Sequence, residues 1–292
     1  MEIRENKAPN MNQKAANYGD RLKHALLLEI LRRTDDWPKV IYAETHAGAG
    51  IYHEKVQVKE SYIRELRQSV KSAPQPDDSL AAGAPYLAWL KDWWHDSENA
   101  GSYPGSVLTA LLWLQHRHSS VPFEIRVTEK DESTCNRLRK TFRQFKAEAR
   151  ERSFTEELAW LTGSDDLILL VDPFGCVDSF LTSGSDRGID NGWIDHEVLC
   201  DILERCSKKE RAVVSIWWGF GQALRYYHKA TCKLLKEWSR KHGNAAYRLY
   251  HDKRNHANAV LGIGKGADLA KDLPETPAWK ESWLAGNVYE IN

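Results

Sequence analysis

The sequence predicts an α/β fold in which a largely parallel sheet is covered by helices on both faces. Short apolar runs of the kind found in buried strands alternate with longer amphipathic segments, and this alternation is typical of a doubly wound sheet. The chain has 292 residues, of which 42% are hydrophobic and 28% charged. It is therefore long enough for one large α/β domain that carries an insertion.

The predicted elements follow one another in a regular order. Helices are expected at 17–33, 106–116, 133–150, 195–206 and 224–242, and strands at 40–42, 123–129, 167–172, 212–218, 246–250 and 259–263. Residues 54–104 break this order with a loop rich in proline and a helix rich in tryptophan at 86–94. The predicted organisation is thus a main domain made of residues 1–53 and 105–292, with a helical insertion subdomain at 54–104.

A glycine-rich turn follows the first predicted strand. The apolar run at 40–42 leads to Glu44 and then to a stretch of small residues that includes Gly48 and Gly50. Glycine can adopt backbone angles closed to other residues, so the amides of such a turn can approach a ligand closely. In open α/β sheets, ligands bind at the carboxyl ends of the strands. The turn is a candidate ligand-binding loop, although glycine is also common in loops that bind no ligand.

Two further strands end in carboxylates, Glu129 and Asp172. An acidic residue after a glycine loop is how nucleotide-like cofactors are held, because the carboxylate accepts hydrogen bonds from ribose hydroxyls. The G-x-G-x-x-G spacing of nicotinamide sites is absent, and no G-K-[ST] follows as a P-loop would require. The order of glycine loop, acid and Asp-Pro-aromatic favours S-adenosylmethionine as cofactor, while Glu129 could instead be a solvated strand end.

The segment Asp172-Pro173-Phe174-Gly175 is the best catalytic candidate. A carboxylate fixed at a strand end can accept a hydrogen bond from an exocyclic amine and stabilise positive charge that develops on nitrogen. Phe174 could stack on a nucleobase. The alternative is an aspartate that is satisfied by the amides of the next turn.

Composition limits the remaining function classes. Lys plus Arg equals Asp plus Glu at 41 each, so nucleic-acid binding would depend on local basic clusters such as those at 137–150 and 225–241. The five cysteines form no C-x-x-C pair, which indicates neither a zinc site nor a disulfide framework and favours a cytoplasmic setting. No apolar stretch reaches the roughly 18 residues that span a bilayer, and the polar start of the chain does not resemble a secretory signal. We therefore expect no membrane association.

The chain resembles a known family in four stretches that occur in order: residues 17–24 (NYGDRLKH), 44–52 (ETHAGAGIY), 103–106 (YPGS) and 128–129 (TE), followed by an apolar strand that ends in Asp172-Pro173. These stretches resemble the bacterial 23S ribosomal RNA adenine-N6 methyltransferases of the RlmJ type. The resemblance covers roughly residues 15–220 and implies a Rossmann-like class I methyltransferase sheet with a small helical insertion after the first strand.

The resemblance also implies a set of site residues. The residues it assigns to the S-adenosylmethionine site are His24, His46, Ser106 and Glu129. Lys23 at the start of the first helix and the turn residues Gly48 and Gly50 complete the predicted cofactor site. The catalytic segment would be Asp172, Pro173 and Phe174. From the residues alone, His24 and His46 would be read as solvated or as turn-stabilising side chains. The implied partner is nucleic acid, RNA rather than DNA, with a role in ribosomal RNA processing by a monomer.

One motif departs from the adenine-N6 pattern. Those enzymes carry Asp-Pro-Pro-aromatic, whereas this chain has Asp-Pro-Phe-Gly, which looks similar to the motif of the three-Cys-motif partner proteins. A rival interpretation is a non-catalytic methyltransferase-like protein that binds nucleic acid or a partner. A third is methylation at cytosine carbon with Cys176 as nucleophile, which the absence of an adjoining proline disfavours.

Overall fold

The computed structural model describes residues 15–54, 58–72, 84–117, 122–129, 131–143, 148–151, 161, 166–172, 175–177, 193–219, 225–251 and 256–273. The strands are β1 Val40–Glu44, β2 Ile51–His53, β3 Ser102–Pro104, β4 Phe123–Glu129, β5 Glu148–Glu151, β6 Leu167–Val171, β7 Gly175–Val177, β8 Trp193–Asp195, β9 Arg211–Gly219, β10 Ala245–His251 and β11 His256–Gly264. The helices are α1 Tyr18–Arg32, α2 Glu60–Ser72, α3 Ala84–His95, α4 Ser106–Arg117, α5 Glu132–Arg143, α6 His196–Cys206, α7 Arg225–Lys241 and α8 Gly266–Asp272.

Seven strands form one sheet in the order β10-β11-β9-β6-β1-β4-β5. The five strands β5, β4, β1, β6 and β9 are parallel, and β11 joins β9 and β10 in antiparallel pairing. The parallel part has the 3-2-1-4-5 order of a Rossmann-like doubly wound sheet. The predicted α/β fold with a largely parallel sheet is confirmed.

Two apolar layers cover the sheet. Val40 and Tyr42 of β1 pack with α1 and α4 on one face, whereas Ile41 and Ala43 pack with α6 and α7 on the other. Both faces of β1 and β6 are buried, which explains why these strands appear in the sequence as continuous apolar runs. The predicted cover of helices on both faces is therefore present.

The segment predicted as an insertion contains α2 and α3 between the paired strands β2 and β3. Its helix α2 places Ile63, Leu66 and Val70 in the same apolar core as α1, and α3 adds Tyr86 and Leu90. The segment thus packs onto the main sheet layer through α1. Its treatment as a separate subdomain stays a prediction.

One predicted element was too long. The helix expected at 133–150 begins at Glu132 and ends at Arg143, and residues 148–151 form β5 instead. Strand β5 pairs with β4 in parallel register at the edge of the sheet. Main-chain pairing with a neighbouring strand overrides the local helical pattern there, because strand formation depends more on context than on propensity.

Among the helices in the described ranges, none has both the length and the apolar composition needed to cross a membrane. The predicted cytoplasmic location stays a prediction.

Candidate functional site

The candidate site lies at the carboxyl edge of the parallel strands, where three predicted residues share one row. Glu44 of β1 lies opposite Val127 of β4 and Leu170 of β6. Two residues further along the chain are Glu129, the last residue of β4, and His46 and Asp172, which follow β1 and β6. Main-chain hydrogen bonds from the Thr45 and Ala47 amides continue the strand pairing past the end of β1. Because side chains alternate with a period of two, these three project from the face of the sheet that α1 covers. The register therefore brings Glu129, His46 and Asp172 to one edge, as the sequence predicted.

Helix α1 adds a buried cation to this row. The Lys23 Nζ atom lies 2.6 Å from Asp172 Oδ2 and 3.2 Å from Asp20 Oδ1, and Lys23 is only 6% exposed. Asn17 caps α1 by accepting a hydrogen bond from the Asp20 backbone amide, which fixes the first turn, where Asp20 lies, and Lys23 follows in the second turn. Burial by itself would lower the pKa of Lys23, but the nearby carboxylates, Asp172 first and then Asp20, outweigh it, so the ammonium stays protonated.

Asp172 is held from two sides. Its backbone amide donates to Thr45 Oγ1 at 3.2 Å, and its carboxylate accepts from Lys23. Burial raises the pKa of Asp172 to about 6, and Lys23 opposes this rise. At neutral pH the carboxylate is therefore ionised while its pKa remains close to the working range, which is suitable for a group that accepts a proton or a hydrogen bond.

Glu44, the last residue of β1, lies two residues before His46 and is buried beneath the site. Its Oε1 accepts from Ser106 Oγ at 2.6 Å and its Oε2 accepts from Tyr42 OH at 2.7 Å, with the side chain fully buried. Burial, followed by the charge of Asp172, raises the pKa of Glu44 to about 8. The Glu44 carboxyl is thus mostly neutral at pH 7, which limits the number of negative charges beside Asp172.

Replacing Glu44 by glutamine is expected to flatten the loss of stability that accompanies a rise in pH from about 5 to about 8. The pKa of Glu44 rises from an ordinary 4.5 to about 8 on folding. Between these values the native state keeps a proton that the unfolded state has lost, so the free energy of unfolding falls as pH rises, by at most about 1.4 kcal/mol per pH unit. Glutamine cannot ionise, so this contribution disappears. Urea unfolding at several pH values from 5 to 8, in roughly half-unit steps, measures the slope.

The matched control is Glu124→Gln, which changes a half-exposed carboxylate of β4 that pairs with Arg126 and lies towards the other end of the strand. This control is expected to keep the slope that the wild type shows between about pH 5 and pH 8. Equal slopes in Glu44→Gln and the wild type would contradict a raised pKa at Glu44.

The glycine turn is tied to the end of β4. The Gly48 amide donates to Glu129 Oε2 at 2.9 Å, and the Asp131 amide donates to Glu129 Oε1 at 3.0 Å. Gly48 has φ +64°, a left-handed conformation, and a Cβ at this position would lie 2.0 Å from Tyr52 OH. Only glycine fits this turn without displacing Tyr52, so the left-handed backbone expected at this position is present, while its contact with a ligand stays a prediction.

The second glycine joins the turn to the start of α4. Gly50 has φ +76°, and its carbonyl accepts from the Gly105 amide at 2.7 Å. Gly105 precedes Ser106, the first residue of α4. The glycine turn and the 103–106 segment are therefore in contact, although they are far apart in the sequence. The Ser106 hydroxyl faces Glu44 rather than the turn.

The two histidines have different settings. His46 is half-buried, its Nδ1 lies 2.6 Å from Thr45 Oγ1, and burial followed by Lys23 lowers its pKa to about 4, so the ring is neutral at pH 7. His24 is buried in a polar stack, with its Nδ1 2.8 Å from Tyr103 OH and its ring stacked on that tyrosine. Burial lowers the pKa of His24 well below its usual value. His46 belongs to the row of the site, whereas the contacts of His24 are with the insertion.

Pro173 and Phe174 lie outside the described residues, so their predicted roles stay predictions. Thr45 is a site residue that the sequence-based assignment left out, and Glu44, recognised in the sequence as an acidic strand end, was not assigned to the site. Thr45 links three strands, because its carbonyl accepts from Thr128 Oγ1 at 2.8 Å while its own hydroxyl accepts from the Asp172 amide. The position of Glu44 at the end of a wholly apolar strand was the available signal.

The fold and the residues at the carboxyl edge of the sheet define the class of protein. The chain is an α/β protein with a Rossmann-like sheet and a polar site at the carboxyl ends of β1, β4 and β6. No family model and no curated protein sequence matches the chain. Among solved structures, protein LPL1258 of Legionella pneumophila, which carries the family-model designation DUF519, is similar at TM-score 0.58 and 18% identity. The match covers 86% of each chain, and it shows a shared fold.

Two looser matches have lower TM-scores. The hMettl16 catalytic domain, in complex with MAT2A 3′UTR hairpin 6, has TM-score 0.43 and 12% identity over 87% of this chain and 73% of its own. SMU.1697c of Streptococcus mutans, assigned as a methyltransferase and solved in complex with SAH, has TM-score 0.41 and 11% identity over 82% and 94%.

Proposed function

We propose that this protein is a methyltransferase that uses S-adenosylmethionine and acts on nucleic acid. The observation that supports this most directly is the row formed by Glu129, His46 and Asp172, with Lys23 bonded to Asp172. The row places one carboxylate next to a glycine turn and another one two strands away, and a buried cation contacts the second carboxylate. This arrangement suits a nucleoside cofactor on one side and a reacting amine on the other.

The residues present fit the chemistry of S-adenosylmethionine. Glu129 has two carboxylate oxygens at the end of β4 and remains partly exposed, so it can accept from ribose hydroxyls. The turn at Gly48 and Gly50, with its left-handed backbone, brings the main chain close to that position without side chains in between. The protonated Lys23 could pair with the carboxylate of the methionine part. His46, neutral and half-buried, would lie beside the turn.

Asp172 would act on the substrate side. When bound, S-adenosylmethionine supplies a methyl group that is attached to a positively charged sulfur. Once the methyl group is transferred, this sulfur becomes a neutral thioether. The ionised Asp172 carboxylate would accept a hydrogen bond from the target amine and orient its nitrogen lone pair towards the methyl carbon. The same negative charge would stabilise the positive charge that develops on nitrogen, and the Asp172 carboxylate would then accept the proton that the methylated amine loses.

The finer proposal concerns the substrate. The resemblance to the RlmJ-type enzymes favours the N6 amine of an adenine in ribosomal RNA, acted on by a monomer. Asp172 suits an exocyclic amine on a nucleobase, because such an amine is a hydrogen-bond donor whose nitrogen becomes positive during transfer. The Asp-Pro-Phe-Gly motif retains the aspartate on which this chemistry depends.

Calorimetric titration with S-adenosylmethionine and S-adenosylhomocysteine tests the cofactor. We expect binding by the wild type and a loss of affinity of about tenfold to one hundredfold in Glu129→Ala, since hydrogen bonds to a charged acceptor are removed. Glu129→Ala also leaves the Gly48 amide without its acceptor.

The control for this titration is Glu124→Ala, a carboxylate on the same strand that pairs with Arg126 away from the turn. Its affinity is expected to equal that of the wild type. A folded wild-type protein that binds neither compound would refute the proposal and favour a non-catalytic binding protein.

A further inference from the structure

The row of site residues continues beyond Asp172 onto two further strands. Val171 of β6 lies opposite Ile216 of β9, so Asp172 is level with Trp217. Trp217 in turn lies directly opposite Asn258 of β11. Strand β11 is antiparallel, so its beginning reaches the same edge as the ends of the parallel strands. The full row is therefore Glu129, His46, Asp172, Trp217 and Asn258.

The side chain of Trp217 projects on the same side as Asp172. Lys23 Nζ, which bonds to Asp172 Oδ2, lies 5.5 Å from the centroid of the Trp217 ring. Trp217 is half-buried, whereas the next residue, Trp218, is buried in the opposite core and donates from Nε1 to His228. Trp217 thus places a large flat apolar surface next to the candidate catalytic carboxylate.

Asn258 contributes a hydrogen-bond donor to the end of this row. Its side chain is fully buried, and its Oδ1 accepts from Ser215 Oγ at 3.0 Å. Its Nδ2 makes no hydrogen bond within the part of the chain that the structure describes. Buried amide groups are nearly always paired, and leaving one unpaired costs stability. An unpaired donor opposite Trp217 is therefore available to a ligand that carries a hydrogen-bond acceptor.

We propose that Trp217 and Asn258 form the wall against which the target nucleobase lies. This inference rests on the proposed function, because it treats Asp172 as the group that receives the reacting amine. Enzymes that modify a base hold it between aromatic or apolar side chains and read its edge by hydrogen bonds. Trp217 would stack on the ring, and the Asn258 amide nitrogen would donate to a ring nitrogen or carbonyl oxygen. The ligand class is a planar heterocycle that carries a hydrogen-bond acceptor and an exocyclic amine.

Photolabelling tests the wall without depending on turnover. The probe is a short single-stranded RNA that carries 8-azidoadenosine, irradiated with the full-length protein in the presence of S-adenosylhomocysteine, and the labelled peptides are identified by mass spectrometry. We expect label on the peptide that contains Trp217. The yield there is expected to fall about tenfold or more in Trp217→Leu, and far less in Trp217→Phe, because stacking on a base requires an aromatic ring.

The matched control is Trp89→Leu, the same change at a half-buried tryptophan of α3 that stacks on Trp93. Its labelling yield is expected to match that of the wild type. Label confined to other peptides, or a yield that Trp217→Leu leaves unchanged, would overturn the proposal.

A second variant tests whether the Asn258 amide group binds the base or only stabilises the fold. The double variant Ser215→Ala/Asn258→Leu removes the unpaired Nδ2 together with the hydroxyl that Asn258 accepts from, so no new unpaired group is created. Its urea midpoint is expected to equal or exceed that of the wild type, because an unpaired buried donor is lost. Labelling is nevertheless expected to fall about fivefold or more, while Ser215→Ala alone leaves the yield unchanged. Unchanged labelling in the double variant would remove Asn258 from the wall.

The failures of the two proposals are distinguishable. If calorimetry shows no binding of S-adenosylhomocysteine but labelling still depends on Trp217, the methyltransferase proposal fails and the nucleobase wall stands. If the cofactor binds normally and labelling is independent of Trp217, the wall is wrong and the methyltransferase proposal stands.

Discussion

Asp172→Asn is expected to lower the rate of methyl transfer by about a thousandfold while leaving the affinity for S-adenosylmethionine nearly unchanged. Asparagine has the same shape as aspartate but lacks the negative charge that would stabilise a positively charged amine, and charge stabilisation or proton acceptance of this kind contributes about 10²–10⁴ to rates. The measurement is transfer of a labelled methyl group to an unmodified 23S ribosomal RNA transcript, with cofactor binding followed by calorimetry.

The control for Asp172→Asn must account for Lys23, since the substitution removes one of its two carboxylate partners. Asp20→Asn makes the same isosteric change at the other partner, 3.2 Å from Lys23 Nζ, and leaves Asp172 in place. We expect Asp20→Asn to retain most of the activity. Equal losses in both variants would indicate that the charge balance of Lys23 matters rather than the carboxylate at position 172. Full activity in Asp172→Asn would refute its catalytic role.

Gly48→Ala is expected to destabilise the protein by about 2 kcal/mol or more and to weaken cofactor binding by at least about tenfold. A left-handed backbone costs a residue with a Cβ about 1–2 kcal/mol. The added carbon would also lie 2.0 Å from Tyr52 OH, so Tyr52 must move and its hydrogen bond from the Ala49 amide is lost. Urea unfolding gives the stability, and the shift of the thermal midpoint on addition of S-adenosylmethionine reports binding.

Gly101→Ala is the matched control for Gly48→Ala. A Cβ at Gly101 meets no atom within 4 Å, and the residue is exposed. This variant is expected to unfold within about 0.5 kcal/mol of the wild type and to bind cofactor normally. A Gly48→Ala protein as stable as the Gly101→Ala protein would show that the turn adapts. Normal cofactor affinity in such a protein would remove the glycine turn from the proposed binding site.

Several elements could be predicted closely because their signals are local. The bounds of β4 were predicted to the residue, and those of α1, β6 and β9 to within one or two residues, since buried parallel strands and amphipathic helices each leave a periodic pattern. The edge strand β5 was missed because its formation depends on pairing with β4. The short pairs β2–β3 and β7–β8 were missed for the same reason.

The site residues also divide into those with a local sequence signal and those that depend on tertiary packing. Glu129 and Asp172 could be found from the sequence because each follows a strand, and the ends of parallel strands meet at one edge. The contact of Lys23 with Asp172 joins positions 149 residues apart and depends on how α1 packs across the sheet. Trp217 and Asn258 carry no local signal either, because only the strand register aligns them with Asp172.

The sequence by itself determined the alternation of strands and helices, the glycine turn at 48–50 and the acidic ends of β4 and β6, because these depend on backbone preferences and on the pattern of apolar residues. Only the tertiary structure decided which side chains are buried together. Burial removes water from Glu44 and Asp172, and that loss of solvation raises their pKa values to about 8 and about 6. The charge state of the site is therefore a property of the packed protein and not of the residue types.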